Sequence, residues 1–269
     1  MMAYIEHISK ELAEYLRRRV LRFKVGKTPN DIQKILANLQ HKGIHVIENY
    51  WSDESCLELT SKIDKAISTD QECLHWTDAE GADHRIWEAE KLSASFAEFL
   101  NDPFIEKIRK YYSGILIDEK LLLAARLTFT SGNLGSGGGW HRDSPHSLQF
   151  KAILYLSDVK VESGPFEYFE QSHSEWSSIQ LLQNQLCKAN QFRFTNEDIE
   201  KIESSQAIIC SSKPFLANKG TLLLVNTKGI HRGRPIQQGY RYALTQYCFN
   251  GDGKSDFLKK LELSGGIRH

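Results

Sequence analysis

Paired cysteines are missing from this chain of 269 residues. Its five cysteines are an odd number, and no two of them form a Cys-x-x-Cys pair. The sequence therefore argues against a disulfide framework and against a structural zinc site. Reduced thiols are typical of the cytosol, so we expect a cytoplasmic protein.

An excess of charge and a long apolar run are missing as well. The 34 Lys and Arg residues equal the 34 Asp and Glu residues, which gives a formal net charge of zero. A general nucleic-acid-binding protein normally has a basic excess, so we expect no nucleic-acid partner. No stretch approaches the roughly 20 apolar residues that span a bilayer. The N-terminus also lacks the apolar core of a secretory signal.

The first feature that is present is an amphipathic basic helix. Residues 4–25 place apolar side chains at helical spacing: Ile5, Ile8, Leu12, Leu16, Val20 and Phe23. We expect residues 1–27 to form this helix, and residues 28–269 to form a single domain. A second set of residues, Arg17, Arg18, Arg19 and Arg22, predicts a peripheral contact with a membrane surface or a protein. A solvated helix face is the alternative, and either way we expect the helix to be dispensable for chemistry.

Further helices and one strand are predicted before residue 113. Thr28, Pro29 and Asp31 form a capping-box pattern at the start of a helix that ends near Gly43. The stretch "IHVIENYW" predicts a short strand, and Ser52 caps the next helix. We interpret residues 70–92 as a long loop, followed by one helix over residues 93–112.

After residue 120 the chain becomes rich in short apolar and aromatic stretches bounded by Gly, Ser, Asn or Pro. These predicted strands are "LLLAARLTFT", "QFKAILYLSD", "GPFEYFE", "QAIICSS", "TLLLVNT" and "YRYALTQYCFN". A polar, partly helical segment over residues 174–203 interrupts them. Many short strands at this spacing predict a sandwich or barrel, of which the jelly roll is one form.

The stretch "GSGGGWHRDSPH", residues 135–146, combines glycines with metal-ligand residue types. His141 and Asp143 are two apart, so on extended backbone their side chains point to the same face. We expect the glycines to let the chain turn and to form part of the lip of a site. A phosphate-binding loop is disfavoured because no Gly-Lys-Ser/Thr follows. His146 is expected in a supporting or surface role.

A second stretch, "GTLLLVNTKGIHRGRPIQQGYRYALTQYCF", provides His231 and Arg241. A third ligand from a distant strand would complete a set of two histidines and one carboxylate, which leaves one face of an octahedral Fe(II) open. Arg241 follows His231 by ten residues and alternates with Tyr240 and Tyr242. A guanidinium at this place suits bidentate binding of a carboxylate.

With these motifs the chain resembles the phytanoyl-CoA dioxygenase-like family of Fe(II)/2-oxoglutarate oxygenases. The resemblance spans roughly residues 35–250, and its specific motifs, "GWHRD", "SGPFEYFEQSH", "GTLLLVN…IHRGRP" and "GYRYALTQYCF", lie between residues 125 and 250. It implies a mainly β fold with flanking helices, a double-stranded β-helix (a distorted, cupin-like jelly roll) with N-terminal helices. It further implies Fe(II) on His141, Asp143 and His231.

The resemblance also implies a co-substrate site and an activity. Arg241 matches the residue that pairs with the far carboxylate of 2-oxoglutarate, and Arg126 matches a polar pocket position. The expected activity is a dioxygenase that hydroxylates a small polar or anionic metabolite, lipid or sugar, with dioxygen as the oxidant. Lys151, Tyr155 and Arg234 are further pocket candidates.

Two departures and two alternatives accompany this interpretation. Ala243 stands where related oxygenases often have serine, and Gln171 replaces the usual glycine before Ser-His. The same three ligands would also suit a zinc-dependent hydrolase that activates water. A non-catalytic ligand-binding jelly roll is the third possibility.

Overall fold

A computed structural model describes residues 2–69, 73–114, 119–205, 211–249, 253–265 and 267–268. The described helices are α1 Met2–Val25, α2 Gln33–His41, α3 Asp53–Ser68, α4 Ala94–Leu100, α5 Pro103–Ser113, α6 Glu175–Gln183, α7 Asn196–Ser204 and α8 Gly253–Leu263. The described strands are β1 Ile44–Ile47, β2 Leu74–Thr77, β3 Asp83–Trp87, β4 Glu119–Thr128, β5 Phe150–Tyr155, β6 Phe166–Phe169, β7 Ser212–Phe215, β8 Leu222–Asn226, β9 His231–Gly233, β10 Tyr240–Phe249 and β11 Ile267–Arg268.

The strands form two antiparallel sheets, as expected of a jelly roll. The large sheet has the order β1-β8-β5-β10-β4-β3-β2-β11, and the small sheet has the order β7-β6-β9. Buried residues from both sheets, among them Ile153, Leu223, Phe166 and Tyr168, form one core between them. Helices α2 to α5 contribute to a second core with residues of the large sheet. The large sheet is therefore covered on both faces, and one end of the space between the sheets is left for a cavity.

Part of the N-terminal prediction is confirmed and part is wrong. Ser52 caps α3 by accepting a hydrogen bond from the Ser55 amide at 3.2 Å, as expected. The capping box at Thr28 does not form, because Pro29 keeps an extended ψ of 144° and a short 3-10 turn precedes α2. Asp31 instead pairs with Lys107 of α5 at 2.8 Å.

The helix predicted over residues 93–112 is two helices. Asp102 separates α4 from α5, because its side chain accepts hydrogen bonds from the amides of Phe104 and Ile105 and so caps the start of α5. Pro103 occupies the first position of α5, where its missing N–H costs nothing. The break is therefore encoded locally by the Asp-Pro pair.

The long loop predicted over residues 70–92 is wrong. Within its described part, β2 and β3 form a hairpin, and β3 pairs with β4 from Asp83 opposite Leu127 to Trp87 opposite Leu123. Charged Asp83 and Arg85 alternate along β3 and line the cavity, so the cavity-facing side of the strand lacks the apolar character by which strands are usually identified in a sequence. Of the predicted strand "QAIICSS", residues 206–210 lie outside the described part of the chain.

Helix α1 has the predicted length but is oriented with its polar side inward. The residues buried on it are His7, Glu11, Glu14 and Arg18. Leu12 and Leu16, which belong to the expected apolar face, are 52% and 61% exposed. Buried ion pairs therefore hold α1 on the domain, and none of the described helices is long and apolar enough to span a membrane.

Candidate metal centre

The three predicted ligands come together at one end of the space between the sheets. His141 and His231 face each other across a short antiparallel bridge, in which each backbone amide donates to the other residue's carbonyl at 2.8 Å. The Asp143 amide donates to the Thr227 carbonyl at 2.9 Å, which brings the carboxylate to the same place. One ligand atom from each of the three residues lies within 4.8 Å of the others.

Backbone carbonyls determine which ring nitrogen of each histidine is available. The Nδ1 of His141 lies 2.8 Å from the Gly139 carbonyl, and the Nδ1 of His231 lies 2.8 Å from the Gly229 carbonyl. Because a carbonyl only accepts, each Nδ1 carries the proton and each Nε2 keeps its lone pair. Burial lowers the pKa of His141 to about 3, and burial also lowers the pKa of His231, so both rings are neutral.

Asp143 supplies the negative charge of the cluster. Its Oδ1 lies 3.9 Å from Nε2 of His141, and its Oδ2 lies 2.7 Å from Nζ of Lys151. Burial opposes ionisation, but the charge of Lys151 and its hydrogen bond to the carboxylate act in the other direction, and the pKa of Asp143 is lowered. The carboxylate therefore stays ionised, with one oxygen bound by Lys151 and the other beside the imidazoles.

The donor set fits a divalent transition metal. Two neutral imidazole nitrogens and one carboxylate oxygen are the ligands of the facial triad that non-haem Fe(II) oxygenases use. Zinc accepts the same ligands. The open side of the cluster faces a cavity of about 490 Å³.

The glycine loop is shaped around His141. Gly135, Gly137 and Gly138 line the cavity, as expected of a lip, and all three have positive φ. A Cβ added at Gly137 would lie 2.5 Å from Cε1 of His141. Glycine is therefore required at position 137 for two reasons, its φ of +88° and the close approach of a ligand ring.

We expect Gly137→Ala to weaken metal binding, and Gly132→Ala to leave metal binding unchanged. Gly132 has a similar φ of +81° but open space around its Cα. Both variants should lose about 1–2 kcal/mol of stability from the left-handed backbone. Displacement of His141 should reduce Co(II) affinity roughly tenfold or more in Gly137→Ala alone, measured by absorption titration. Equal affinities in the two variants would contradict this account of the loop.

Strand β10 presents one face to the cavity, as the sequence predicted. Arg241, Ala243 and Thr245 line it together with Tyr247. Arg241 is 7% exposed and donates from Nη1 to the Gly164 carbonyl. Burial lowers the pKa of Arg241, but guanidinium groups stay protonated in proteins, so the cavity contains a fixed positive charge.

The further pocket candidates divide into two groups. Lys151 and Tyr155 line the cavity. Arg126 does not, because β4 turns Leu123 and Ala125 toward the cavity and Arg126 to the other face, where it binds Asp64 at 2.9 Å. Arg234 is paired with Glu167 and also lies outside the lining. The expectation that Arg126 is a pocket residue is therefore wrong.

Sequence reasoning missed Arg85. Its guanidinium binds Asp83 at 2.6 Å, donates to Ser136 at 3.2 Å and lies 5.0 Å from the centre of the Trp76 ring. Asp83 is 2% exposed, and its Oδ1 has no hydrogen-bond partner among the described residues. The alternation of Asp83, Arg85 and Trp87 was the available signal, but it lay in the segment interpreted as a loop.

The loop before His231 is supported by the segment that carries Gln171. Ser172 is buried, and its Oγ accepts a hydrogen bond from the Ile230 amide at 2.8 Å. Gln171 has a φ of +68°, in the left-handed region that favours glycine. This backbone conformation is a physical reason for the glycine expected at this position.

A second cluster, His7, Glu11 and His146, also has ligand atoms within 4.8 Å of one another. Its carboxylate is already paired, since Nζ of Lys228 lies 2.6 Å from Oε2 of Glu11. His146 lies 3.2 Å from Glu11 and 2.7 Å from Asn190, and His7 lies 3.0 Å from the Ser178 hydroxyl. The ammonium group of Lys228 occupies the position beside the carboxylate that a metal ion would need. This cluster is therefore a buried polar network that joins α1 to the loops of the first cluster.

No protein-family model and no curated protein sequence matches this chain. Solved structures do match. The epimerase SnoN, in complex with Fe3+, alpha ketoglutarate and nogalamycin RO, is 14% identical, with a TM-score of 0.61 over 82% of this chain and 84% of that chain.

Two further structures are similar over comparable lengths. EctD from S. alaskensis with bound Fe is 13% identical, with a TM-score of 0.59 over 83% of this chain and 79% of that chain. HygX from Streptomyces hygroscopicus with nickel and 2-oxoglutarate bound is 17% identical, with a TM-score of 0.54 over 80% of this chain and 86% of that chain. At these identities the likeness shows a shared fold.

Proposed function

We propose that this chain is a non-haem Fe(II)- and 2-oxoglutarate-dependent oxygenase. The observation that carries the proposal is the cluster of His141, Asp143 and His231, whose two Nε2 atoms and one carboxylate oxygen face the same cavity as Arg241. The shared fold with SnoN, EctD and HygX agrees with it. The narrower assignment to the phytanoyl-CoA dioxygenase-like family remains part of the proposal.

In this proposal His141, Asp143 and His231 hold Fe(II), and the remaining residues orient what binds beside it. The bound iron supplies the activation of dioxygen, and 2-oxoglutarate is converted to succinate and carbon dioxide. Lys151 holds one oxygen of Asp143, so the other oxygen stays directed at the imidazoles. The carbonyls of Gly139 and Gly229 keep the ring orientations fixed.

Arg241 is proposed to bind the far carboxylate of 2-oxoglutarate. The side chain is buried in the cavity wall, and the small neighbouring Ala243 leaves room beside it. Ala243 itself offers no hydroxyl, so the contact that a serine would make there has to come from another residue. Tyr155 lies opposite Ala243 on the neighbouring strand and lines the cavity, but its hydroxyl donates to the Phe215 carbonyl at 3.2 Å and accepts from the Phe166 amide at 3.0 Å, so it does not replace that contact.

We expect Arg241→Ala to raise the concentration of 2-oxoglutarate required for turnover at least thirtyfold. Leaving one member of a buried charge pair without its partner costs about 2–5 kcal/mol, and 1.4 kcal/mol is tenfold in affinity. Iron content should be unchanged. Arg241→Lys should restore the affinity only in part, since an ammonium group cannot reproduce the bidentate fork. An unchanged requirement in Arg241→Ala would move the anchor to another residue.

The substrate is proposed to be a small polar molecule. Charged side chains of both signs line the cavity, with Arg85 and Arg193 beside Asp78 and Glu80, and the aromatic ring of Trp76 lies among them. We propose hydroxylation as the outcome, in which R–H, dioxygen and 2-oxoglutarate give R–OH, succinate and carbon dioxide. The similar fold of SnoN, which is an epimerase with alpha ketoglutarate bound, supports 2-oxoglutarate as the co-substrate and does not bear on hydroxylation.

One experiment separates this proposal from its alternatives. The purified chain is loaded anaerobically with Fe(II) or Zn(II), and succinate release is measured with and without 2-oxoglutarate against a panel of small polar compounds. The proposal expects succinate only in samples that contain both Fe(II) and 2-oxoglutarate, and it expects the substrate to increase the amount released. Hydrolytic activity with Zn(II) that ignores 2-oxoglutarate would favour the zinc hydrolase. Metal binding without any turnover would favour a ligand-binding jelly roll.

A further inference from the structure

The outer side of α1 is rich in exposed apolar side chains. Eight of the seventeen large hydrophobic side chains that are exposed in the described part of the chain belong to this helix: Met2, Tyr4, Ile5, Leu12, Tyr15, Leu16, Val20 and Phe23. From Ile5 to Phe23 the surface extends for about 27 Å at the helical rise of about 1.5 Å per residue. Soluble monomers rarely expose apolar patches of this kind unless something binds to them.

Basic residues lie along this apolar surface. The exposed charged residues of α1 are Glu6, Lys10, Arg17, Arg19 and Lys24. Lys10 pairs with Glu6 at 2.6 Å and Arg17 with Glu14 at 2.8 Å. Arg19 and Lys24 have no ion-pair partner among the residues that the structure describes. The outer side of the helix is therefore apolar with a net positive charge.

We infer that the outer side of α1 docks on the surface of an anionic lipid bilayer. An amphipathic helix with basic residues at its edge lies in the interface plane with its apolar face among the lipids, and anionic head groups attract the basic residues. A second copy of this chain is the alternative occupant, but it presents the same net positive charge on this surface, whereas an anionic bilayer presents the opposite charge. The charge complementarity therefore selects anionic lipid.

The inner side of α1 makes this docking compatible with the folded domain. Arg18 pairs with Glu175 of α6, and Glu11 pairs with Lys228. The helix thus keeps its place through polar contacts and leaves its apolar side available without any unfolding. The inference is independent of the proposed chemistry, since it concerns a surface whose exposed residues do not line the cavity.

The test is co-sedimentation of the full chain with extruded vesicles of phosphatidylcholine alone or mixed with phosphatidylserine. We expect binding to the mixed vesicles that weakens as salt is raised. Two double variants, Leu12→Gln/Leu16→Gln and Arg19→Gln/Lys24→Gln, should each reduce the partition coefficient roughly tenfold or more. The control Leu57→Gln/Leu263→Gln removes two exposed leucines elsewhere and should bind like the unaltered chain.

Three results would overturn the inference. The first is no binding of the unaltered chain to the mixed vesicles. The second is equal loss of binding in the control and in the α1 variants. The third is a dimer in analytical ultracentrifugation without lipid that Leu12→Gln/Leu16→Gln dissociates, which would make this surface an interface between copies. Circular dichroism of each variant verifies that the helix content is kept.

Discussion

Replacing Asp143 with alanine is expected to abolish succinate formation and to lower the affinity for Fe(II) roughly 100-fold or more. Asp143 is the one anionic member of the cluster, and the two neutral imidazoles would remain alone with the ammonium group of Lys151. That ammonium lies 2.7 Å from the carboxylate and would repel a divalent cation once the carboxylate is gone. The loss should therefore exceed that expected from one missing ligand.

The measurement is the iron content after anaerobic loading, with succinate release recorded on the same samples. Glu80→Ala is the matched control, since Glu80 is another carboxylate of the cavity lining but does not belong to the ligand cluster. It should keep its iron. Asp143→Asn tests charge with little change of shape and should behave like Asp143→Ala. Normal iron content and normal turnover in Asp143→Ala would show that the assigned ligand set is wrong.

The second large effect is expected from Glu11→Gln, a substitution in α1 outside the cavity lining. The Glu11 carboxylate is fully buried and accepts hydrogen bonds from Lys228 at 2.6 Å and from the Ser178 hydroxyl at 3.0 Å. Removing its charge leaves the buried ammonium of Lys228 with only the more distant carboxylate of Glu175, at 3.5 Å, and breaking such a buried pair costs about 3–5 kcal/mol of unfolding free energy. Urea denaturation followed by circular dichroism measures this loss.

A pH series gives this prediction a distinctive signature. Burial lowers the pKa of Lys228 to about 8, although Glu11 acts to raise it. Without Glu11 the pKa of Lys228 in the folded variant falls further, whereas the unfolded chains of both proteins bind a proton up to the ordinary lysine pKa of about 10.4. Stability rises with pH wherever the unfolded chain binds more protons. The two proteins therefore differ in proton binding only below about pH 8, and the deficit of Glu11→Gln should shrink as the pH rises toward about 8 and stay constant from there to about pH 10.

Two further variants isolate the buried pair. The double variant Glu11→Leu/Lys228→Met replaces both charges with apolar groups and should recover most of the stability. Glu6→Gln lies on the exposed side of the same helix and should have little effect. An unchanged stability in Glu11→Gln would show that this carboxylate does not hold α1.

The same contacts change the expectation for residues 1–25. Glu11 contacts Lys228, which follows the Thr227 carbonyl that binds the Asp143 amide, and it contacts His146 three residues after Asp143. Deleting α1 would expose both ligand loops, so we now expect the deletion to weaken metal binding. The earlier expectation of a dispensable helix rested on its position before the motifs, and position along the chain carries no information about packing.

The elements that local chemistry encodes were predicted well. The clustering of His141, Asp143 and His231 could be anticipated because a two-residue spacing on extended backbone places His141 and Asp143 on one face, and their role as metal ligands stays a prediction. The inward face of Arg241 and Ala243 followed from strand alternation in the same way. Arg126 was wrongly expected in the pocket. Side chains alternate along β4 as well, but which of its two faces meets the cavity depends on how β4 pairs with its neighbours.

The sequence by itself determined the residue types at the candidate metal centre, the glycines that its loop requires and the apolar strands that form the sheets. Only the tertiary structure decided that β3 brings Asp83 and Arg85 into the cavity and that α1 turns Glu11 inward and Leu16 outward. The physical reason is that a buried charge needs a compensating partner, and for Glu11 that partner comes from a distant segment. Lys228 lies 217 residues from Glu11 along the chain, a separation at which no local pattern reports a contact.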